Sequence, residues 1–154
     1  MMDSFVARGG LWVVAQSILM LAVLAGGVAF RASEIHGVSL VGGLCLILLG
    51  AAFGIAGVKV LGCNRTPFPK PLEESALVQH GVYALVRHPL YSSVILLSFG
   101  WALTWGSVPA LALACVEVVF FDSKARREER WLMEKFPGYA DYRQRVRRLV
   151  PWVY

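Results

Sequence analysis

Residues 38–62 read VSLVGGLCLILLGAAFGIAGVKVLG, and this run decides the fold class. Its one charge is Lys59, close to the end, and a helix of about 20 apolar residues covers the roughly 30 Å hydrocarbon core of a bilayer. Outward toward the N-terminus, the polar turn Arg31 to Gly37 leads back to a second run of spanning length, Leu11 to Phe30. Outward toward the C-terminus, Pro89 to Phe121 is apolar again but too long for a single span. Gly106-Ser107-Val108-Pro109 divides it, and proline suits the first turn of a new helix. The expectation is a tight helical hairpin, with one helix from about Pro89 to Trp105 and the next from about Pro109 to Asp122. The fold class is therefore all-α integral membrane, with about four transmembrane helices followed by a cytoplasmic amphipathic helical tail.

Composition agrees. Of 154 residues, 57% are hydrophobic and 16% charged, and a soluble globular protein carries nearer a quarter charged. Mean hydropathy is +0.60. The length bounds the chain to one domain, residues 1–154, with two spans in 1–62 and a loop, the hairpin and basic helices in 63–154. The first run exceeds the usual apolar core of a signal peptide, so a retained helix is expected. Cys45, Cys63 and Cys115 have neither the count nor the spacing of a disulfide framework or zinc site, and His36, His80 and His88 are too scattered for metal ligation.

Charge gives the orientation. Lys124 to Arg148 holds nine Lys/Arg against four acids, which accounts for the whole net charge of +5. With four spans, Arg8, the loop bases Arg65, Lys70 and Arg87, and this tail share one side, while the opposite side receives Arg31. Positive-inside bias then places both termini of this multi-pass protein in the cytoplasm. A basic tail directly after a span faces anionic membrane lipids rather than nucleic acid. Within it, Ala125, Leu132 and Phe136 form an apolar stripe with Glu128 and Glu129 on its shoulders. Lys124, four residues before Glu128, offers an intrahelical ion pair.

The chemistry concentrates in Gly81-Val82-Tyr83-Ala84-Leu85-Val86-Arg87-His88-Pro89-Leu90-Tyr91, where a cation, an imidazole and two phenols gather at a membrane edge. A hairpin returns the chain to its starting side, so residues 75–91 and 124–129 can meet. Arg87 or Lys124 suits a carboxylate, Glu128 or Glu129 an amine or ribose hydroxyls, and Tyr83 and Tyr91 an aromatic ring or cation. Headgroup anchoring by Arg87 and His88, with the glutamates in a surface salt-bridge ladder, explains the same residues equally well. Glu117, inside the fourth span, needs a partner or a function, and the sequence names neither.

Gly81-Val82-Tyr83, Arg87-His88-Pro89-Leu90-Tyr91, the hairpin, Glu128-Glu129, Leu132, Phe136-Pro137-Gly138-Tyr139-Ala140-Asp141-Tyr142 and Val150-Pro151 together resemble the isoprenylcysteine carboxyl methyltransferase family, related to the phospholipid N-methyltransferases. The resemblance covers about Ser75 to Trp152. It implies an S-adenosylmethionine-dependent membrane methyltransferase. It also implies cofactor contacts at Ser75, Ala76, Leu77, Val78, Tyr83, His88, Pro89, Leu90, Tyr91 and Glu128. Lys124 stands where eukaryotic members carry a substrate-associated arginine, and it keeps the charge while losing the bidentate fork. Arg87 and Lys124 are thus the candidate catalytic residues, no metal is expected, and the acceptor is a lipophilic small molecule, a lipid or a prenylated chain. Its methylated atom, whether carboxylate oxygen, amine nitrogen or thiol sulfur, stays open, as does oligomeric state. Two other readings remain: a membrane reductase using a nicotinamide cofactor, and a non-enzymatic membrane scaffold.

Overall fold

The computed structural model describes residues 2–154, with side chains from Phe5 onward. Six helices follow one another: α1 (Met2–Ala7), α2 (Gly10–Ala29), α3 (Gly37–Leu61), α4 (Pro89–Trp105), α5 (Val108–Lys135) and α6 (Tyr139–Arg145). Among the described residues there is no strand, only an isolated parallel pairing of Val86 with Arg147. α2 and α3 are long and apolar enough to cross a membrane. They turn large residues such as Ile18, Leu21, Val41 and Leu48 outward. Small residues face inward, the reverse of a water-soluble core and the arrangement expected where lipid is the solvent.

α3 and α4 pack backbone against backbone. Gly43, Gly50 and Gly57 are buried along one face of α3. A Cβ at Gly43 would lie 2.8 Å from the Gly100 carbonyl, and one at Gly100 would lie 2.7 Å from the Gly43 carbonyl. The small-residue face of α3 is thus used for an internal contact. Hydroxyls tie the helices further: Ser93 Oγ donates to the Gly50 carbonyl at 2.6 Å, Ser39 Oγ to Leu103 at 2.8 Å and Ser107 Oγ to Gly26 at 2.9 Å. Lipid offers these groups no competing water, so each bond holds two helices in register.

The hairpin turns where expected. Gly106 takes the left-handed conformation at φ 61°, Ser107 Oγ accepts from Ala110 N, and Pro109 occupies the first turn of α5. One boundary differs from the sequence reading. No break falls near Asp122: the fourth apolar segment and the first part of the basic tail form one helix of 28 residues, about 42 Å long. Neither glycine nor proline occurs between Pro109 and Pro137, so nothing interrupts its hydrogen bonding. The rest of the tail is only partly helical. α6 has seven residues, and after it the chain runs beside residues 86–88.

That return is fastened by polar groups. Arg87 N donates to the Arg147 carbonyl (2.8 Å), His88 N to Arg148 (3.0 Å) and Ser92 Oγ to Leu149 (2.6 Å). Glu129, almost fully buried, lies at the centre. It accepts from Arg87 Nη2 at 2.7 Å and from Arg148 Nε at 3.2 Å, with His88 Nε2 at 3.3 Å and Arg143 Nε at 3.7 Å. Burial alone would raise its pKa, but the hydrogen bonds from His88 and Arg148 and the neighbouring positive charge hold it well below the ordinary carboxylate range.

Two predictions follow from this packing. Gly43→Leu should lower the thermal unfolding midpoint in detergent, at an overpacking cost of about 1–3 kcal/mol. Gly42→Leu, where a Cβ meets nothing within 4 Å, should leave the midpoint unchanged. Because the folded-state pKa of Glu129 is depressed, its contribution to stability is complete above the ordinary value of 4.5 and fades as pH falls below it. Melts from pH 7 to pH 3 should show this acid limb in wild type. Glu129→Gln should be destabilised at neutral pH by about 3–5 kcal/mol, since it leaves buried cations unpaired, and should show a flatter limb.

Candidate functional site

A cleft opens beside the Glu129 cluster, between residues 64–78 and the membrane-edge half of α5. The segment 64–78 contains Pro67, Pro69 and Pro71, so it cannot form a helix and crosses the cleft as a strip. Lys135 fastens the strip by donating to the carbonyls of Leu72 and Glu73 and to Ser75 Oγ. Ala76 N donates to Asn64 Oδ1 at 3.1 Å. Ser75, Ala76, Leu77 and Val78 are thereby presented to the cleft from one side.

The opposite wall comes from the 3-10 turn Gly81–Ala84, the start of α4 and the outer part of α5. Tyr83 is buried on the turn, and its carbonyl accepts from Tyr142 Oη at 2.6 Å. Burial, then the nearby Glu128 carboxylate, raises its phenol well above the ordinary range, so it stays neutral. His88 is kept out of helical geometry by Pro89, and its ring stacks on Tyr91 at 5.2 Å with the planes 2° apart. Tyr91 Oη donates to Glu128 Oε2 at 2.5 Å, and Glu128 lies 3.9 Å from His88 Nδ1. The imidazole therefore stands between two carboxylates, Glu129 in the buried cluster and Glu128 at the cleft.

Leu90, Leu132 and Phe136 complete an apolar wall. The enclosed space is about 120 Å³, rising to about 770 Å³ with the open mouth included. A small-molecule site usually encloses roughly 300–1,000 Å³. The enclosed part is therefore small for a nucleoside-sized ligand, and the open mouth supplies most of the space. The chemistry of the walls suits such a ligand: one partly exposed carboxylate, four phenols, an imidazole, the edge of the Arg87 guanidinium and apolar side chains, with no cluster of metal-ligating groups among the described residues.

Ser75 to Val78, Tyr83, Arg87, His88, Leu90, Tyr91 and Glu128 all line the cleft. Pro89 does not; it is buried at the α3–α4 contact, 3.6 Å from where a Gly57 Cβ would stand. Arg87 lies at the cleft edge, but Nε and Nη2 bind Glu129 and Nη1 binds the carbonyls of Arg143 and Val146. Its guanidinium is largely committed within the protein. Lys124 is outside the cleft lining, its ammonium 5.1 Å from the centre of the Tyr91 ring. The ion pair with Glu128 suggested by their spacing is not formed. Lys124 Nζ instead donates to Gln16 Oε1 at 2.5 Å and to the Pro67 carbonyl at 3.2 Å.

The sequence reading singled out Glu128 through the resemblance but gave Glu129 no structural role, and it passed over Arg148 and Gln16. Glu129 carried a signal, since it shares a helix face with Ala125 and Leu132. Arg148 and Gln16 carried none, because each acts through a contact distant in sequence. Glu117 is fully buried beside Ser98 of α4, and its carboxylate oxygens make no hydrogen bond of normal geometry.

Known proteins were compared with this arrangement. A family model described as phospholipid methyltransferase matches residues 38–138. A protein-S-isoprenylcysteine O-methyltransferase B of Arabidopsis thaliana is 34% identical over 115 residues, covering 72% of this chain and 58% of the relative. A protein-S-isoprenylcysteine O-methyltransferase of Tribolium castaneum is 32% identical over 126 residues, covering 78% and 44%. The chain thus spans about half the length of these relatives. Among solved structures, the eukaryotic intramembrane Ras methyltransferase ICMT (isoprenylcysteine carboxyl methyltransferase) superposes with a TM-score of 0.70 at 26% identity, over 94% of this chain and 53% of that one. The match of the family model across 38–138, taken with this shared fold, places the chain in the phospholipid methyltransferase family.

Proposed function

We propose that the protein is an S-adenosylmethionine-dependent methyltransferase acting on a lipophilic, prenylated acceptor at the cytoplasmic interface of a membrane. The observation that carries this reading is the pairing of Tyr91 with Glu128 at the mouth of a cleft walled by Tyr83, His88 and Leu77. A carboxylate that is partly exposed and bound to a phenol keeps acceptor capacity for a ligand's ammonium or hydroxyls. When bound, S-adenosylmethionine supplies a methyl group already activated by attachment to a sulfonium, so the protein needs little acid–base machinery.

The chain's own residues then have positional tasks. Glu128 and the 75–78 strip hold the polar ends of the cofactor, Tyr83 and Tyr91 present neutral aromatic faces beside a positive centre, and Leu90, Leu132 and Phe136 exclude water. Glu129 fixes Arg87 and His88, so the Tyr91 ring has one position. This reading takes Arg87 as a residue that shapes the site rather than one that binds the acceptor carboxylate, and Lys124, buried between α2 and the strip, as a residue that holds those elements beside the cleft. In-line alignment of acceptor and methyl is the main source of rate. The membrane frame belongs to the same proposal: α4 and the first half of α5 complete four spans, and Arg8, the 63–88 loop and the basic tail lie on the cytoplasmic side of a prokaryotic inner membrane.

Calorimetry on the detergent-purified protein should show saturable binding of S-adenosylmethionine and S-adenosylhomocysteine. Glu128→Ala should weaken both by about 10–100-fold, the equivalent of one charge-assisted hydrogen bond. Tyr91→Phe should weaken them less. Absence of binding to folded wild type would overturn the proposal; retention of a reduced nicotinamide dinucleotide instead would favour a reductase, and retention of neither a scaffold.

A further inference from the structure

Four phenols line the cleft, and they differ in what their hydroxyls hold. Tyr91 Oη donates to Glu128, and Tyr142 Oη donates to the Tyr83 carbonyl. The other polar groups of the walls are spent in the same way. Arg87 and His88 turn to Glu129, and Asn64 Oδ1 accepts from Ala76 N. Tyr139 is the exception. It is 1% exposed, yet its Oη has no hydrogen-bond partner among the described residues. A buried hydroxyl left unpaired costs free energy, and a phenylalanine would fill the same space without that cost.

Tyr139 opens α6, one tight turn after Phe136, whose carbonyl accepts from Tyr139 N at 3.0 Å. Both side chains line the cleft together with Leu132, and the Tyr142 ring meets the Tyr139 ring edge-on at 5.7 Å. The charges that bear on Tyr139 first are Glu129 and Arg87, which are already paired with each other at 2.7 Å. No net charge remains there to hold an ionised group. Burial, then the Glu129 carboxylate, keeps the phenol above its ordinary range, so the hydroxyl retains its proton. This end of the cleft thus offers one neutral donor among aromatic and aliphatic side chains. The mouth offers the Glu128 carboxylate instead. A flat heteroaromatic ring with a nitrogen lone pair matches the first environment, and an ammonium or a hydroxyl matches the second.

We propose that Tyr139 is a nucleobase-binding residue, its hydroxyl donating to a ring nitrogen of the cofactor's purine. The inference rests on the methyl-transfer reading above and deepens it, because it divides the cleft between the base at Tyr139 and the hydroxyls or ammonium at Glu128. It also gives the unpaired hydroxyl a reason to exist: the empty protein gives up stability that the bound purine restores.

The test uses the detergent-purified full chain with S-adenosylhomocysteine and with its deaza analogues, in which one purine ring nitrogen at a time is replaced by C–H. Tyr139→Phe should weaken S-adenosylhomocysteine binding about tenfold, the loss of one buried hydrogen bond. Wild type should lose about as much for one of the analogues. Tyr139→Phe should bind that analogue no worse than the parent compound, because both changes remove the same bond. In the empty protein, Tyr139→Phe should unfold at the wild-type temperature or above it, since no partner is lost. Tyr142→Phe should unfold lower, because it leaves the Tyr83 carbonyl unpaired. Wild-type affinity in Tyr139→Phe, losses that add for every analogue, or a lowered unfolding temperature of the empty Tyr139→Phe protein would each overturn the assignment. Failure of folded wild type to bind S-adenosylhomocysteine would overturn it together with the methyl-transfer reading, and the wild-type titration alone tells that case apart.

Discussion

The structure depends on one buried carboxylate. Glu129, in the last third of α5, sits where the start of α4 and the returning C-terminal segment converge, and each of those two sends a cation or an imidazole to it. Removing a carboxylate from water costs several kcal/mol, and the cost is offset only when charge and hydrogen bonds surround it on most sides. Arg87 and His88, adjacent before α4, and Arg148 of the returning C-terminal segment do so from two stretches far apart in sequence. The cluster therefore works only when all three are in register. It sets the height of the 86–88 segment against α5, which in turn sets the position of Tyr91.

Adjacent glutamates on α5 thus have opposite environments. Neighbouring positions on a helix are about 100° apart, so Glu129 points into the cation cluster while Glu128 points along the cleft. His88 touches both, with Nε2 toward Glu129 and Nδ1 toward Glu128. An ordered interior carboxylate holds the imidazole, and the imidazole backs the aromatic wall that the outer carboxylate caps through Tyr91. Rigidity at Glu129 is converted into placement at Glu128. The site lies on the ends of helices, and the proline strip that crosses it is held by lysine contacts to its carbonyls.

The elements legible in the sequence are those whose cause is local. Apolar length marked α2 and α3, and Gly106, Ser107 and Pro109 marked the hairpin, because turn and cap chemistry act within a few residues. The cleft residues were legible through the resemblance of residues 75–91 and 128–142 to a known family, and most of them do line one cavity. Less legible was whatever depends on distant partners. Charge density suggested that α5 ends near Asp122, yet helix propensity continues smoothly through Lys135. The extended pairing of 146–149 with 86–88 has no periodic signature, since its donors and acceptors are backbone groups. The spacing of Lys124 and Glu128 is right for an ion pair, but tertiary packing draws the lysine toward α2.

That displacement bears on how a family fold can accommodate different acceptors. The cleft is built from α4, the strip and the Glu128 face of α5, and its geometry is fixed by the Glu129 cluster. α2 stands apart from the cleft lining, belongs to neither the cluster nor the strip, and meets α5 through the Lys124–Gln16 hydrogen bond and aromatic contacts such as Trp12 with Phe120. A substitution on α2 can therefore alter what α5 presents to the bilayer without disturbing the hydrogen bonds that place Tyr91 and Glu128. The physical separation is between a charge-locked half, where any change costs stability, and a helix packed chiefly through apolar side chains and single polar contacts, where change is tolerated.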